Sequence, residues 1–328
     1  MFLPPKRSLA VLAVPLVSLL AAPAAATPVP SHAAVHPVVH PVVHAAVHAA
    51  VHPVVHMAAH AAPRVATLVD VRASHHPGLD RVVFEFRGPL PARRGAGYVS
   101  RLNADGSGRT VPVAGDAILG LRFGGAVGHD NKGRPTYGPA RETFALPGVV
   151  QVVNAGDFEA ELTFGIGLSR KASYRVYTLT HPSRVVVDVK TPYRTVPVRT
   201  YFLDSRAYAA GRRPYTAAVS RPVIPPSTAR GALQRLFAGP TRAEHAKGLR
   251  FVASGATGVR SVVVRDGVAH VRLTGSLRSG GSAFTVADEI TPTLKRLPGI
   301  RWVKIYDARG RTERPKGHSD SVPESLEP

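Results

Sequence analysis

Short hydrophobic runs, broken by polar and turn residues, fill the chain between residues 64 and 191. ATLVDVRA (66–73) and RVVFEFRG (81–88) alternate hydrophobic and polar side chains with the period of two that a half-buried strand shows. Similar runs continue at 97–102, 110–113, 117–123, 149–154, 161–168, 174–180 and 185–189. No long helical pattern interrupts them, so the spacing predicts an all-β sandwich or barrel. Residues 124–139, rich in glycine and polar side chains, are predicted to form one long surface loop.

After a boundary with two prolines at 191–198, the pattern mixes strands with helices. Strands at 200–203 and 217–223 precede a helix, and a hairpin over 259–275 follows it. A second helix then leads to a last strand at 300–307. The order β-β-α-β-β-α-β predicts an α+β domain with its helices on one face of a sheet.

Both predicted helices carry signals at their ends. The first follows Pro225-Pro226 and ends at Gly239, with an apolar stripe and with Ser227 or Thr228 available as a cap. The stripe consists of Ala229, Leu233, Leu236 and Phe237. The second helix covers about 285–297, where Asp288 could support the cap at Thr285 and Pro292 should kink the helix or delay its start.

The first 26 residues have the three parts of a secretory signal peptide. Lys6 and Arg7 precede an apolar run over 9–20, and three alanines at 24–26 offer a cleavage site. The alternative is an uncleaved anchor over 8–26, which its prolines and alanines make weakly apolar for a membrane span. We expect export, cleavage and no transmembrane helix afterwards. The chain has no cysteine, which excludes disulfides, cysteine-bound metals and a lipoprotein anchor.

Residues 27–63 form a low-complexity segment with a histidine at every fourth position. Because prolines follow several of these histidines, a continuous helix is disfavoured and we expect a disordered linker. The alternative is metal binding, since histidine-rich tracts bind zinc or nickel without folding. Its speculative ligands are His36, His40, His44, His48, His52 and His56.

Lys and Arg number 42 against 21 Asp and Glu, which gives a formal net charge of +21. In a cytoplasmic protein this charge would suggest nucleic acid, but an exported protein meets anionic wall polymers instead. Residues 192–328 carry 23 basic and 10 acidic side chains. The candidates for a polyanion-binding face are Arg212, Arg213, Arg296, Arg301, Lys304, Arg309, Arg311 and Arg314. A generally solvated, arginine-rich surface is the alternative.

Three segments of the first unit, GLDRVVFEFRG (78–88), LNADGSG (102–108) and residues 152–189, resemble the AMIN-like domain of secreted and lipid-anchored actinobacterial proteins. The resemblance covers nearly all of residues 64–191. It implies a β-sandwich with a targeting or binding role, because the related AMIN domain targets envelope proteins to peptidoglycan. It brings no catalytic residues.

The second unit resembles a GerMN domain, the sporulation and germination type, over residues 192–310. The matching segments are TYFLD (200–204), ALQRLFAGPTRAEHAKGL (232–249), VVVRDGVAHVRLTGSLRSGGS (262–282) and PGIRWVKIYDARG (298–310). The resemblance implies an extracytoplasmic assembly or binding role. Residues 311–328 are predicted to be a polar tail, which frays after Arg314.

Residues that could carry enzyme chemistry are few. Asp157, Glu159 and Glu161 alternate and would share one strand face, where paired carboxylates could act as acid and base, but we expect them to form a solvated strand edge. No nucleophile elbow or H-E-x-x-H motif occurs. The sequence therefore predicts a secreted, cell-wall-associated, non-enzymatic protein without a cofactor. Its partners would be anionic wall polymers or peptidoglycan and envelope proteins, and not nucleic acid. The alternatives are a regulator of a peptidoglycan hydrolase and a metal-binding protein acting through the histidine tract.

Overall fold

Residues 65–328 are described by the computed structural model. The predicted signal peptide, linker and histidine ligands lie outside the described residues, so those interpretations stay predictions.

The first domain contains twelve strands among the described residues. They are β1 (Ala66–His76), β2 (Leu79–Arg87), β3 (Arg93–Val99), β4 (Leu102–Asn103), β5 (Thr110–Val111), β6 (Ala117–Gly124), β7 (Ala126–Val127), β8 (Arg141–Thr143), β9 (Val149–Phe158), β10 (Glu161–Leu168), β11 (Tyr174–Leu179) and β12 (Ser183–Lys190). Two sheets of five strands form from them, in the orders β11-β12-β2-β1-β7 and β3-β6-β10-β9-β8.

A core of aromatic and branched aliphatic side chains joins these two sheets. The ring of Phe84, on β2, lies 5.1 Å from Phe123 and 5.1 Å from Phe164, which both belong to the opposite sheet. All three rings are at most 1% exposed. Alternation places these side chains inward, because successive residues of a strand point to opposite faces. The predicted all-β sandwich is confirmed.

The segment predicted to be a surface loop over 124–139 is anchored at both ends. Strand β7 pairs in parallel with β1 through Ala66 and Ala126, which are both fully buried. Near the other end, Tyr137 is 8% exposed and packs edge-on against Phe164. The prediction of one surface loop is therefore wrong at these two places, where the segment adds to the sheet and to the core.

The second domain contains six strands and four helices among the described residues. The strands are β13 (Val196–Asp204), β14 (Thr216–Val223), β15 (Leu249–Arg250), β16 (Ala256–Arg265), β17 (Val268–Gly275) and β18 (Trp302–Tyr306). The helices are α1 (Ser205–Ala209), α2 (Thr228–Ala238), α3 (Arg242–Ala246) and α4 (Val286–Lys295), and a 3₁₀ turn covers Glu324–Leu326.

The strands of the second domain form two sheets of three, in the orders β14-β13-β15 and β16-β17-β18. One apolar core contains buried side chains from both sheets and from α2 and α4, including Phe202, Leu236, Val271 and Ile290. The predicted α+β class is confirmed, and the expectation of a single sheet is wrong. Strands β17 and β18 are parallel, and α4 lies in the connection between them.

The predicted hairpin turn and the predicted cap of the second helix are both confirmed. Asp266 and Gly267 have φ of 47° and 76°, the left-handed values that a two-residue hairpin turn requires. Thr285 and Asp288 form a capping box at the start of α4. The helix then continues through Pro292 to Lys295, so it does not start late.

The C-terminal segment packs against the second domain, and the prediction that it frays is wrong. Ser321 donates its N–H to the Val303 carbonyl at 3.0 Å, which adds a short parallel bridge beside β18. Leu326 is only 3% exposed and belongs to the core of the domain. The packing is explained by Val322 and Leu326, whose apolar side chains are removed from water when this otherwise polar segment contacts the domain.

Candidate binding site at the domain junction

Helix α2 of the second domain contacts the first domain through a buried arginine. The Arg235 side chain is 2% exposed and donates hydrogen bonds to the Leu146 carbonyl at 2.6 Å and to the Ser169 hydroxyl at 2.8 Å. Its other acceptors are the carbonyls of Phe144, Pro147 and Val149. Burial lowers the pKa of the Arg235 guanidinium to about 10, and the charge of Arg221 adds to this effect. The group therefore stays charged at neutral pH.

The C-terminal end of α2 obtains further donors from the first domain. The last carbonyls of a helix have no partner within the helix. At Ala238 the carbonyl accepts from the Thr143 hydroxyl and, at 3.1 Å, from the Gln151 amide. Both side chains are buried. The first domain thus completes the hydrogen bonding of a helix in the second domain.

Two ion pairs lie at the rim of the junction. Arg230 donates twice to Asp116, at 2.8 and 3.1 Å, and Arg242 pairs with Glu142. Burial raises the pKa of Glu142 although the Arg242 charge opposes the shift. Together with Arg235, these contacts make the described residues one compact unit.

A cleft opens on each side of α2, between the two domains. The first, which we call the Arg141 cleft, has a volume of about 190 Å³ and is lined by Val113, Arg141, Arg230, Leu233, Gln234 and Phe237 among others. The second, which we call the Arg170 cleft, has a similar volume and includes Asp116, Ser169, Arg170, Pro226, Arg230 and Gln234. Both clefts contain basic side chains contributed by α2 and by the first domain.

The Arg141 cleft contains donors that lack strong acceptors. Arg141, on β8, donates to the side-chain oxygen of Gln151 at 2.7 Å. Within residues 65–328 no carboxylate lies within 4.0 Å of its guanidinium. The surrounding protein lowers the pKa of Arg141 by desolvation, although part of its surface stays exposed. The side-chain nitrogen of Gln234 is buried and has no hydrogen-bond partner.

Comparison with known protein families agrees with this two-domain architecture. The family model of the AMIN-like domain matches residues 66–191, and that of the sporulation and spore germination domain matches residues 199–312. The chain carries an AMIN-like domain followed by a sporulation and spore germination domain. These domain types indicate a protein associated with the cell envelope and with sporulation or germination.

A solved structure with tandem GerMN domains, from the sporulation protein GerM of Bacillus subtilis, is also similar to the chain. The identity is 17%, the match covers 43% of this chain, and the TM-score is 0.28. The chain spans about half (50%) of that solved chain. A search of curated protein sequences finds no significant match.

The eight basic residues predicted to bind polyanions occupy several parts of the germination domain. Lys304 is 1% exposed, and its ammonium group donates to the carbonyls of Arg314 and Lys316, so its assignment to a binding face is wrong. Arg301 lies directly before β18, and Arg309 lies in the turn after it, so the two are at opposite ends of the strand. Polyanion binding by the exposed members stays a prediction. They are Arg212, Arg213, Arg296, Arg301, Arg309, Arg311 and Arg314.

The three acidic residues considered for catalysis do not share one strand face. Asp157 lies on β9, Glu159 is in the turn with φ of 50°, and Glu161 begins β10. Asp157 accepts from His129 at 2.6 Å and from the Gly128 N–H, while Glu161 pairs with Arg93. These carboxylates therefore hold loops and strand edges of the AMIN-like domain.

A second histidine–carboxylate pair also has a structural position. Asp80 is fully buried and accepts from His75 at 2.7 Å and from the N–H groups of Gly148 and Val149 at 2.6 and 2.8 Å. It connects the β1–β2 hairpin to the start of β9. Between residues 65 and 328 no group of three or more histidine and acidic side chains could hold a metal ion. In the same range no helix is long and apolar enough to cross a membrane.

Sequence reasoning missed the residues that build the junction. Arg235 follows the buried Ala232 by three positions, which places it on the buried face of α2, and this spacing was the available signal. Arg141, Gln151 and Gln234 carry no such signal, because their proximity depends on how the two domains dock.

Proposed function

We propose that this protein is an exported, non-enzymatic envelope protein that binds anionic wall polymers or peptidoglycan. The observation that carries the proposal is the junction, because it joins two domains of envelope type in one unit and places basic clefts between them. A fixed arrangement favours binding, since little conformational freedom is lost when a polymer contacts both domains.

The charge distribution supports attraction to polyanions. Residues 192–328 carry 23 basic and 10 acidic side chains, and most of the exposed arginines of this part have no carboxylate partner within residues 65–328. Attraction of this kind is salt-sensitive, because ions screen charges beyond about 8 Å at physiological ionic strength. The domain types, which are of non-catalytic kinds, support the non-enzymatic assignment.

Sedimentation of the full chain with purified peptidoglycan tests the proposal. We expect most of the protein in the pellet at low salt, and a smaller but measurable fraction at about 0.5 M salt, where the screening length falls to about 4 Å. A protein that stays in the supernatant at low salt would contradict wall binding. Clearing of peptidoglycan in a zymogram would contradict the non-enzymatic assignment.

A further inference from the structure

The Arg141 cleft is suited to one chemical group in particular. We propose that it binds the C-terminal carboxylate of a short peptide with small apolar side chains. The inference rests on the proposed function, because peptide chain ends are among the acidic groups of a bacterial wall. It adds the site and the ligand class to that function.

Arg141 supplies the charge for such a ligand. A guanidinium has five N–H donors in a planar fork, and Arg141 uses one of them, on the neutral amide of Gln151. Gln151 is itself fixed, because it also accepts from the Ala114 N–H at 3.2 Å and donates to Ala238. The arginine is thus held in place while its charge is not neutralised by the protein.

Gln234 supplies a second donor across the cleft. Buried amide nitrogens normally have a hydrogen-bond partner, so the unpaired side-chain nitrogen of Gln234 indicates a missing acceptor. Both Gln234 and Arg141 line the same cavity. A carboxylate can bind the guanidinium fork with both oxygens, and a rotation of the Gln234 side chain would turn its buried amide towards the same group.

A carboxylate fits the remaining surroundings better than a phosphate. Of the two arginines that line the cleft, Arg230 is already paired with Asp116. Arg141 therefore offers a single unpaired positive charge, which matches a monoanionic carboxylate better than a dianionic phosphate. Val113, Leu233 and Phe237 give the cavity an apolar wall, and its volume of about 190 Å³ suits one or two small side chains. The second cleft lacks these features, since its Arg170 lies over the ring of Tyr193.

Titration with a defined peptide tests the site. The full chain is mixed with N-acetyl-alanyl-alanine, in separate L,L and D,D forms, and binding is followed by saturation-transfer NMR of the peptide. The C-terminally amidated peptides are the matched ligand controls, and inorganic phosphate is the third arm. We expect the free carboxylate to bind about tenfold or more tightly than the amide, because charge-assisted hydrogen bonds are lost with the charge.

Variants locate the binding in the cleft. Arg141→Gln and Gln234→Leu should each weaken carboxylate binding, the first by about tenfold or more. Arg141→Lys keeps the charge but not the fork, and should weaken binding by a smaller factor. Arg87→Gln is the matched control, because it removes the same charge from an exposed position on the other sheet of the AMIN-like domain and should leave binding unchanged.

Several results would overturn the inference. They are equal binding of acid and amide by the native chain, unchanged binding by both cleft variants, and tighter binding of phosphate than of the peptide. The comparison of the acid with the amidated peptide uses only the native chain, so it tests the inference even if a variant fails to fold. If the native chain sediments with peptidoglycan but does not bind the peptide, only the inference about the cleft is contradicted. A chain that binds the peptide but not peptidoglycan contradicts only the proposed function.

Discussion

Glu289 is a carboxylate buried inside the germination domain. It is fully buried on α4 and accepts the N–H groups of Leu203 at 3.0 Å and Val252 at 3.1 Å. Desolvation raises its pKa to about 8 even though both hydrogen bonds favour the charged form, and the neighbouring Asp288 contributes to the rise. The side chain therefore links β13 and the segment after β15 to the helix while it stays largely protonated at neutral pH.

The raised pKa gives the domain a pH-dependent stability. Between pH 4.5 and 8 the unfolded chain releases the Glu289 proton and the folded chain retains it, so stability falls as the pH rises through this window. The slope is about 1.4 kcal/mol per pH unit, or about 5 kcal/mol across the window at most. Below pH 4.5 both states are protonated and this contribution is constant.

The variant Glu289→Gln should remove most of that slope. It should also cost about 1–3 kcal/mol near pH 5, because one of the two backbone N–H groups loses its acceptor. Urea denaturation at several pH values, followed by the fluorescence of Trp302, measures both effects. The exposed Glu324→Gln is the control and should leave the slope unchanged. An equal slope in the native chain and in Glu289→Gln would contradict the assignment.

Helix α2 should couple the unfolding of the two domains. Arg235 connects it to four carbonyls and one hydroxyl of the AMIN-like domain, and a buried carbonyl without a donor is costly. We expect Arg235→Leu to destabilise the chain by at least about 3 kcal/mol. The exposed pair of Arg230 and Asp116 should contribute about 1 kcal/mol or less, so Arg230→Leu is the control.

Two probes distinguish loss of the junction from loss of a domain. The single tryptophan, Trp302, reports on the germination domain, and circular dichroism reports on the strands of both domains. The transitions should coincide in the native chain and in Arg230→Leu, and should separate in Arg235→Leu. Coincident transitions in Arg235→Leu would show that the arginine does not couple the domains.

The elements of this protein could be predicted from the sequence where the signal is local. Alternation identified the main strands of the sandwich, and the Asp266-Gly267 turn and the cap at Thr285 identified the hairpin and the start of α4. The division of six strands into two sheets could not be predicted, because strand pairing depends on contacts between distant segments. The Arg141 cleft could not be predicted for the same reason, because its two donors come from different domains.

The C-terminal segment shows how the whole chain contributes to one domain. Residues after 310 look polar in the sequence, yet they supply acceptors to the buried Lys304 and a core side chain at Leu326. Burial lowers the pKa of the Lys304 ammonium group, and the Arg314 charge adds to the shift. The group needs those carbonyls, because an unpaired buried charge is strongly destabilising.

Removal of residues 311–328 should therefore destabilise the germination domain. Loss of the Leu326 side chain alone, in Leu326→Ala, should cost about 2–5 kcal/mol, and the truncation should cost more because Lys304 also loses its acceptors. Removal of the exposed Glu327 and Pro328 is the control and should change stability by less than about 0.5 kcal/mol. Lys304→Met combined with the truncation should recover part of the loss, since it removes the unpaired charge. The fluorescence of Trp302 during denaturation gives the free energy of unfolding of these four variants and of the full chain. If the truncated chain were as stable as the full one, the segment would lie on the domain surface without contributing to its stability.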